Sequence, residues 1–166
     1  MFRRLAVLFT PIVILILLSG CATTRETSPD IITVAVWDIE DLSFDGSTRA
    51  DLGMVFSAEI IEALKNQAHY EVVERQRLLQ VLEELNIGSS ELAEENSRLQ
   101  IGRIVGAAQM VFGGYQIIGD TMRIDLRLVE VSSGKIINAS QRSASSSNLS
   151  AWISAAREAG HELTRE

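Results

Sequence analysis

Side chains that could perform acid–base chemistry are concentrated in one short segment of this 166-residue chain. Asp38, Glu40, Asp41 and Asp45, which we call the acidic cluster, follow the first predicted strand. Ligand sites in α/β sheets lie at the carboxyl ends of strands, so the cluster is a candidate carboxylate site. No nucleophile or phosphate-binding turn stands near it in the sequence. We therefore interpret the cluster as a solvated loop.

Histidines and glycines give no further sign of catalysis. His69 and His161 have no His, Cys or carboxylate at a metal-ligand spacing, and we expect both to be exposed residues near helix ends. The glycines form neither a dinucleotide-binding nor a P-loop pattern. We expect Gly106 to end a helix, and Gly113 and Gly114 to give a β-bulge or a close backbone approach. The prediction is a non-enzyme with no catalytic residue, no cofactor and no metal.

Cys21 is the only cysteine, and its surroundings predict a covalent modification. Residues 1–20 join two early arginines to a 14-residue apolar run, which is shorter than the roughly 20 residues of a membrane-spanning helix. Leu18-Ser19-Gly20-Cys21 resembles the bacterial lipobox, in which the thiol receives a diacylglyceryl group before cleavage. We predict a signal peptide at residues 1–20 and a lipid on Cys21. The alternative is an incidental cysteine behind an ordinary secretory signal.

The segment after the cysteine indicates where the anchor would hold the protein. Ala22 is not the aspartate associated with inner-membrane retention, so lipoprotein sorting implies the periplasmic face of the outer membrane. Residues 21–30 are small and polar and read as a flexible tether. Residues 31–166 then form a single domain, which without further cysteines must be stabilised by its core.

The charge balance excludes one class of partner. Without residues 1–20 the chain has 13 basic and 22 acidic side chains, a formal net charge of −9. No stretch of sequence gathers Lys and Arg without acidic neighbours, which argues against nucleic acid and against a polybasic lipid-binding segment. The charged run Glu74-Arg75-Gln76-Arg77 is typical of the solvated first turn of an amphipathic helix.

Periodicity predicts the element order β-α-β-α-α-β-β-β-α. The predicted strands are residues 31–36, 70–73, 110–118, 121–131 and 136–143. The first predicted helix spans about 52–66, and the second starts near residue 74 and is closed by Asn86 and Gly88. The third follows a cap at Ser97 and includes Ile101, Ile104 and Val105, and the last carries Leu149, Trp152, Ile153, Ala156 and Leu163 on one face. We also expect Thr48 and Asp51 to form a capping box before the first helix. A β-α-β crossover followed by a meander predicts one mixed sheet in a two-layer or three-layer α/β sandwich.

Several motifs resemble the curli-secretion lipoprotein family, CsgG and its relatives. They are VAV at 34–36, YEVVERQRLL at 70–79, VLEE at 81–84, IGRIVGAA at 101–108, VFGGY at 111–115 and RLVEVSSGKI at 127–136. The resemblance covers about residues 31–163. It implies kinship with the curli channel, flagellar outer-membrane lipoproteins and lipoprotein activators of penicillin-binding proteins. It also implies a mixed α/β (α+β) sandwich of the anticodon-binding or TolB amino-terminal type.

These observations leave three functional hypotheses. The first is a lipid-anchored periplasmic interaction factor that docks an envelope partner, either a secretion channel or a cell-wall synthase. The second is a subunit of an oligomeric outer-membrane secretion channel. The resembled curli channel inserts two extra hairpins that this chain lacks, and the alternation of residues 121–131 needs only a sheet with one face under helices. The third is an enzyme that depends on Asp38 or Asp41.

Overall fold

The computed structural model of the protein describes residues 31–44, 52–86, 94–145 and 148–165. The signal peptide, the tether, Cys21, Asp45, Gly88 and the capping box of Thr48 and Asp51 lie outside the described residues. What the sequence indicates for them stays a prediction.

The β-branched stretch after Ile31 forms an interior strand of one mixed sheet. The strands are β1 (Ile32–Val36), β2 (Glu40–Asp41), β3 (Tyr70–Val72), β4 (Gln109–Ile118), β5 (Thr121–Glu130) and β6 (Ile136–Ser145). Their order among the described residues is β3-β1-β4-β5-β6, with β2 beside β4. β1 pairs in parallel with β3 and β4, and β4, β5 and β6 form an antiparallel meander. The predicted single mixed sheet is confirmed, whereas the polar two-residue strand β2 is not foreseen because it has no hydrophobic periodicity.

Four helices accompany the sheet in the described part of the chain. They are α1 (Leu52–Lys65), α2 (Arg75–Leu85), α3 (Glu95–Val105) and α4 (Leu149–Leu163). Asn86 and Gly106 close α2 and α3 in the left-handed conformation, at φ 50° and 80°, as predicted. The predicted cap at Ser97 is wrong, because α3 already begins at Glu95 and Ser97 lies in its first turn. None of the helices in the described ranges has the length and apolar content to cross a bilayer.

Helices pack on both faces of the sheet, so the sandwich has three layers. On one face, α1 and α4 cover Met122, Ile124, Leu126 and Leu128 of β5. On the other face, α2 and α3 cover only the half of the sheet around β1 and the start of β4. Val129 is therefore buried. The alternating pattern of residues 121–131 predicts instead that it shares the outward face with Arg123, Asp125 and Arg127.

The buried face of α4 differs from the predicted one. Leu149 is 47% exposed and Ile153 is only partly buried, whereas Ala155 and Ala159 are buried together with Trp152. The small residues permit a close approach to α1: a Cβ on Gly160 would lie 3.1 Å from the Ala63 Cβ. Small side chains here make the contact, a contribution that a count of large apolar residues overlooks.

The parallel strands give the sheet two distinct ends. We call the end where β1 and β4 finish the upper edge, and the end where β1, β4 and β6 begin the lower edge. α4 ends near the lower edge, where the Asn138 side-chain amide in β6 donates to the carbonyl of Leu163 at 2.9 Å. The loop after β1 and the starts of α2 and α3 lie at the upper edge.

Candidate functional site

The carboxylates of the acidic cluster at the upper edge have separate partners. The Asp38 carboxylate accepts two hydrogen bonds from Arg75, 2.8 Å from Nη2 and 3.2 Å from Nε. Glu40 Oε1 lies 2.7 Å from Arg98 Nη1. Among the described residues, no three His, Cys, Asp or Glu side chains come close enough together to hold a metal ion. Asp38 and Glu40 thus attach the loop after β1 to two different helices.

The third described member of the cluster stabilises the same loop from within. Asp41 Oδ1 accepts a hydrogen bond from the Ser43 backbone N–H at 2.9 Å. The Ser43 hydroxyl in turn accepts one from the Ile117 N–H of β4 at 3.0 Å. These bonds hold the polar segment beside β4 and account for the short strand β2.

A small groove of about 30 Å³ opens next to the Asp38–Arg75 ion pair. The loop after β1 contributes Trp37 to its lining, and helix α2 contributes Leu78, Leu79 and Leu82. Leu78 is buried, whereas Leu79 is 48% exposed. We call this feature the upper groove; it is an apolar surface open to solvent with an ion pair at its border.

Contacts on two sides fix the Trp37 side chain. Its ring packs against Phe112 with the ring centroids 6.5 Å apart. The Arg98 guanidinium lies 5.8 Å from the ring centroid, within the range of a cation–π interaction. Because Arg98 also binds Glu40, one arginine positions both the tryptophan and the loop beyond it. The upper groove is therefore preorganised.

Pairing of β1 with β3 brings the two sides of the groove together. The Val73 N–H donates to the Val34 carbonyl at 2.8 Å, so the chain leaves β3 beside the end of β1. Arg75 then begins α2 within reach of Asp38. On the other side, the Ile39 N–H donates to the Ser57 hydroxyl of α1 at 3.1 Å and turns the loop back toward the core.

The volume of the groove limits what it can bind. Pockets for drug-sized ligands usually measure roughly 300–1,000 Å³ and enclose most of the ligand. At about 30 Å³ the upper groove is too small and too open for such a ligand, and it suits the tip of one apolar side chain of a protein. Further exposed apolar residues of the described chain surround this edge, with Leu42 at 55%, Phe44 at 92% and Met54 at 48% exposure. Such grouping on a surface is typical of protein contact sites.

Sequence patterns correctly predict that two groove residues are exposed, but they do not predict that these residues contact each other. Asp38 and Arg75 are predicted as a solvated loop and a solvated helix face; both are substantially exposed, yet they form one ion pair. Trp37 and Leu79 are not predicted as site residues. A tryptophan directly after a buried strand, and adjacent leucines at 78 and 79 that cannot both face the core, are the signals that could have identified them.

The two candidate histidines lie apart from the acidic cluster. His69 is exposed at the lower edge with its ring 4.7 Å from that of Tyr70, and His161 is half-buried in the last turn of α4. A Cβ on Gly113 would lie 2.6 Å from the Asp125 carbonyl oxygen, so the close approach is confirmed. No bulge is present, because the β4–β5 register is continuous there.

The uncovered part of the sheet face carries paired charges. Arg123 and Asp125 of β5 form an ion pair at 2.7 Å, and Arg127 lies 3.6 Å from Glu95 of α3. The hydrogen bond from Arg123 to the Asp125 carboxylate, with the attraction between the charges, raises the pKa of Arg123 above its ordinary value. These neighbouring opposite charges are typical of a solvated sheet face.

A family model described as curli production assembly/transport component CsgG matches residues 22–119. Among solved structures, the LpoB C-terminal domain from Salmonella enterica superimposes with a TM-score of 0.59 and 18% identity, covering 72% of this chain and 86% of that one. Lipoprotein GNA1162 from Neisseria meningitidis superimposes with a TM-score of 0.52 and 16% identity, covering 68% of this chain and 78% of that one. A chain of a PelC dodecamer from Paraburkholderia phytofirmans superimposes with a TM-score of 0.54 and 15% identity, covering 84% of this chain and 92% of that one. No curated protein matches the sequence.

At these identities the solved structures establish the fold, and they confirm the predicted mixed α/β class. The family match confirms the resemblance found in the motifs. The same architecture occurs in a protein that is described as a lipoprotein and in one that forms a dodecamer. An assembly or interaction role in the cell envelope is the function that these matches suggest.

Proposed function

Because the chain belongs to the CsgG family, we propose that it is a lipid-anchored, non-enzymatic interaction factor of the cell envelope. A lipid on Cys21 holds it at the periplasmic face of the outer membrane, and the upper groove docks an envelope partner protein. The observation that carries the proposal is the groove itself, an accessible apolar surface with fixed geometry. A secretion channel and a cell-wall synthase are the partner classes that the family resemblance suggests.

The chemistry of the groove favours binding over catalysis. Trp37 and Leu79 offer the exposed aromatic and aliphatic surface from which binding hot spots are built. The carboxylates of Asp38 and Glu40 are held by arginines instead of facing a common centre. With a mature net charge of −9, we expect the partner to present apolar side chains flanked by basic residues.

Photo-crosslinking in the full chain tests the docking site. We would place p-benzoylphenylalanine at Leu79, and in a control at Leu149, because the two leucines are 48% and 47% exposed on opposite faces of the sheet. The proposal expects a discrete adduct with an envelope protein from position 79 that is absent from position 149. It also expects Trp37→Ala to remove the adduct while the protein stays folded. Equal adducts from both positions would contradict the proposal.

The anchor is tested separately with Cys21→Ser. The parent protein should carry the mass of its acyl chains and sediment with membranes. The variant cannot form the thioether, because serine has no thiol, and should be released from the membrane fraction. Unchanged membrane retention of the variant would sink the lipid-anchor proposal and leave the docking proposal standing.

Similarity to the PelC dodecamer favours one alternative, a subunit of an oligomeric secretion channel of the curli type. Light scattering on the detergent-solubilised full chain separates the two ideas. A closed ring of many subunits would support the channel, and a monomer would support the interaction factor.

A further inference from the structure

We infer that the lower edge of the domain rests on the phospholipid surface to which the chain is anchored, so that the upper groove faces the periplasm. The inference depends on the lipid anchor proposed above. It is carried by three properties of the lower edge: its distance from Cys21 along the chain, its exposed isoleucines and its unpaired cations.

Chain length keeps the lower edge close to the anchor. Ten residues lead from Cys21 to Ile31, which directly precedes β1 at this edge. An extended chain spans at most about 3.6 Å per residue, so the start of β1 stays within about 36 Å of the lipid-bearing cysteine. The upper groove lies at the other end of β1 and is held farther away. No other edge of the sheet is tied so directly to the anchor.

Exposed isoleucines give this edge an apolar surface. Ile31 is 61% exposed, and Ile136 and Ile137 at the start of β6 are each 48% exposed. Ile137 lines a recess together with Ile32 and Arg165, so the starts of β1 and β6 and the end of α4 share one surface. Exposed aliphatic side chains next to cations are the composition that favours binding in the interfacial region of a bilayer.

The lower edge groups three cations that have no carboxylate partner among the described residues. Seven of the other described Lys and Arg residues form ion pairs: Lys65, Arg75, Arg98, Arg123, Arg127, Arg142 and Arg157. Arg77 of α2 is exposed and forms none with a described residue. Arg103, Lys135 and Arg165 are exposed and form no ion pair with any described residue.

Acidic side chains also lie near these cations. Glu130 lines a recess with Arg103, and Glu158 and Glu162, which pair with Arg142, line another with Arg165. The Glu130 carboxylate accepts a hydrogen bond from the Ser133 hydroxyl. The sequence does not reveal this group of cations, because positions 103, 135 and 165 are far apart and only the fold brings them to one edge. Unpaired cations on an otherwise acidic protein complement anionic phospholipid headgroups.

Site-specific fluorescence on vesicles tests the orientation. The full chain would carry Ile136→Cys or, as a matched control, Ile118→Cys, an isoleucine 66% exposed at the upper end of β4. A lipidated Cys21 has no free thiol, so an NBD label reacts only at the introduced cysteine. The proteins would be reconstituted on vesicles of phosphatidylethanolamine and phosphatidylglycerol, with and without nitroxide-labelled lipid.

The expected result is a severalfold rise in NBD emission at position 136 and strong quenching by the nitroxide lipid, with neither effect at position 118. Lys135→Glu combined with Arg165→Glu should reduce the quenching at 136. An acylated, vesicle-bound protein without quenching at 136 would overturn the inference alone. A rise in emission without quenching would indicate a protein contact in place of lipid and would also overturn it. A protein that lacks the mass of the acyl chains and is labelled at two thiols would contradict the lipid anchor as well as the inference.

Discussion

The Ile39 backbone N–H donates a hydrogen bond of 3.1 Å to the hydroxyl of Ser57, a residue of α1 that is 98% buried. The same hydroxyl donates to the Gly53 carbonyl at 2.8 Å, so it is satisfied as both acceptor and donor. This bond joins the loop after β1 to the opposite helical layer. The position of Trp37 and Asp38, two and one residues earlier, depends on it.

Ser57→Ala should therefore destabilise the protein although the change in volume is small. It leaves the buried Ile39 N–H without its partner, which costs about 1–3 kcal/mol in the free energy of unfolding. Urea denaturation followed by circular dichroism measures the change. Ser154→Ala is the control, since its hydroxyl bonds to Glu158 on the surface, and it should stay within about 0.5 kcal/mol. Equal losses for both variants would show that the buried bond is not the cause.

Two adjacent glycines of β4 should respond differently to alanine. A Cβ on Gly113 would meet the Leu126 Cδ2 at 2.5 Å and the Asp125 carbonyl oxygen at 2.6 Å, so the β5 backbone must move. We expect Gly113→Ala to cost about 1–3 kcal/mol by overpacking. In Gly114→Ala the nearest atom, at 2.6 Å, belongs to the exposed side chain of Leu42, which can rotate away. Thermal unfolding should show the larger loss for Gly113→Ala, and the reverse order would contradict the packing argument.

Asn86 is the one non-glycine residue with positive φ in the described part of the chain. Asparagine tolerates this left-handed conformation better than alanine, and glycine tolerates it without steric cost. Asn86→Ala should therefore destabilise the protein by about 1 kcal/mol, whereas Asn86→Gly should be neutral or slightly stabilising. Thermal melts of the two variants measure the difference. If both lowered the melting temperature equally, the asparagine side chain and not the backbone angle would be responsible.

Local sequence patterns predict most of the fold, because the order of apolar and polar residues within a helix or strand indicates which of its faces is buried. The meander follows from alternation along β5, and the ends of α2 and α3 follow from Asn86 and Gly106. Errors occur where a neighbouring element decides the outcome. Val129 is buried because α3 covers one end of β5, and Leu149 is exposed because α4 contacts α1 through small residues instead.

The candidate site was harder to predict than the fold, because its residues meet only through the parallel pairing of β1 with β3. Asp38 and Arg75 are 37 positions apart, and Arg98 reaches Trp37 from a different helix. A local sequence pattern shows neither that Arg75 lies near Asp38 nor that Arg98 lies near Trp37. The sequence does identify the loop after β1 as polar and the start of α2 as charged. The sequence does not show the pairing of β1 with β3 that brings this loop next to the start of α2.

The Asp38–Arg75 ion pair should matter more for docking than for stability. Its side chains are 55% and 35% exposed, and exposed pairs contribute only about 0–1 kcal/mol. Asp38→Asn and Arg75→Gln, alone and combined, should therefore change the unfolding free energy by no more than about 1 kcal/mol. Each should nevertheless weaken photo-crosslinking at Leu79, because the first turn of α2 is no longer fixed to the loop that carries Trp37.

A double-mutant cycle on crosslinking yield tests this coupling. The combined variant should lose no more yield than either single variant, since all three break the same contact. Asp125→Asn is the control, because it removes a similarly exposed two-bond ion pair with Arg123 outside the upper groove. It should leave the yield unchanged. Additive losses from Asp38→Asn and Arg75→Gln would mean that the two side chains contact the partner independently instead of positioning the groove.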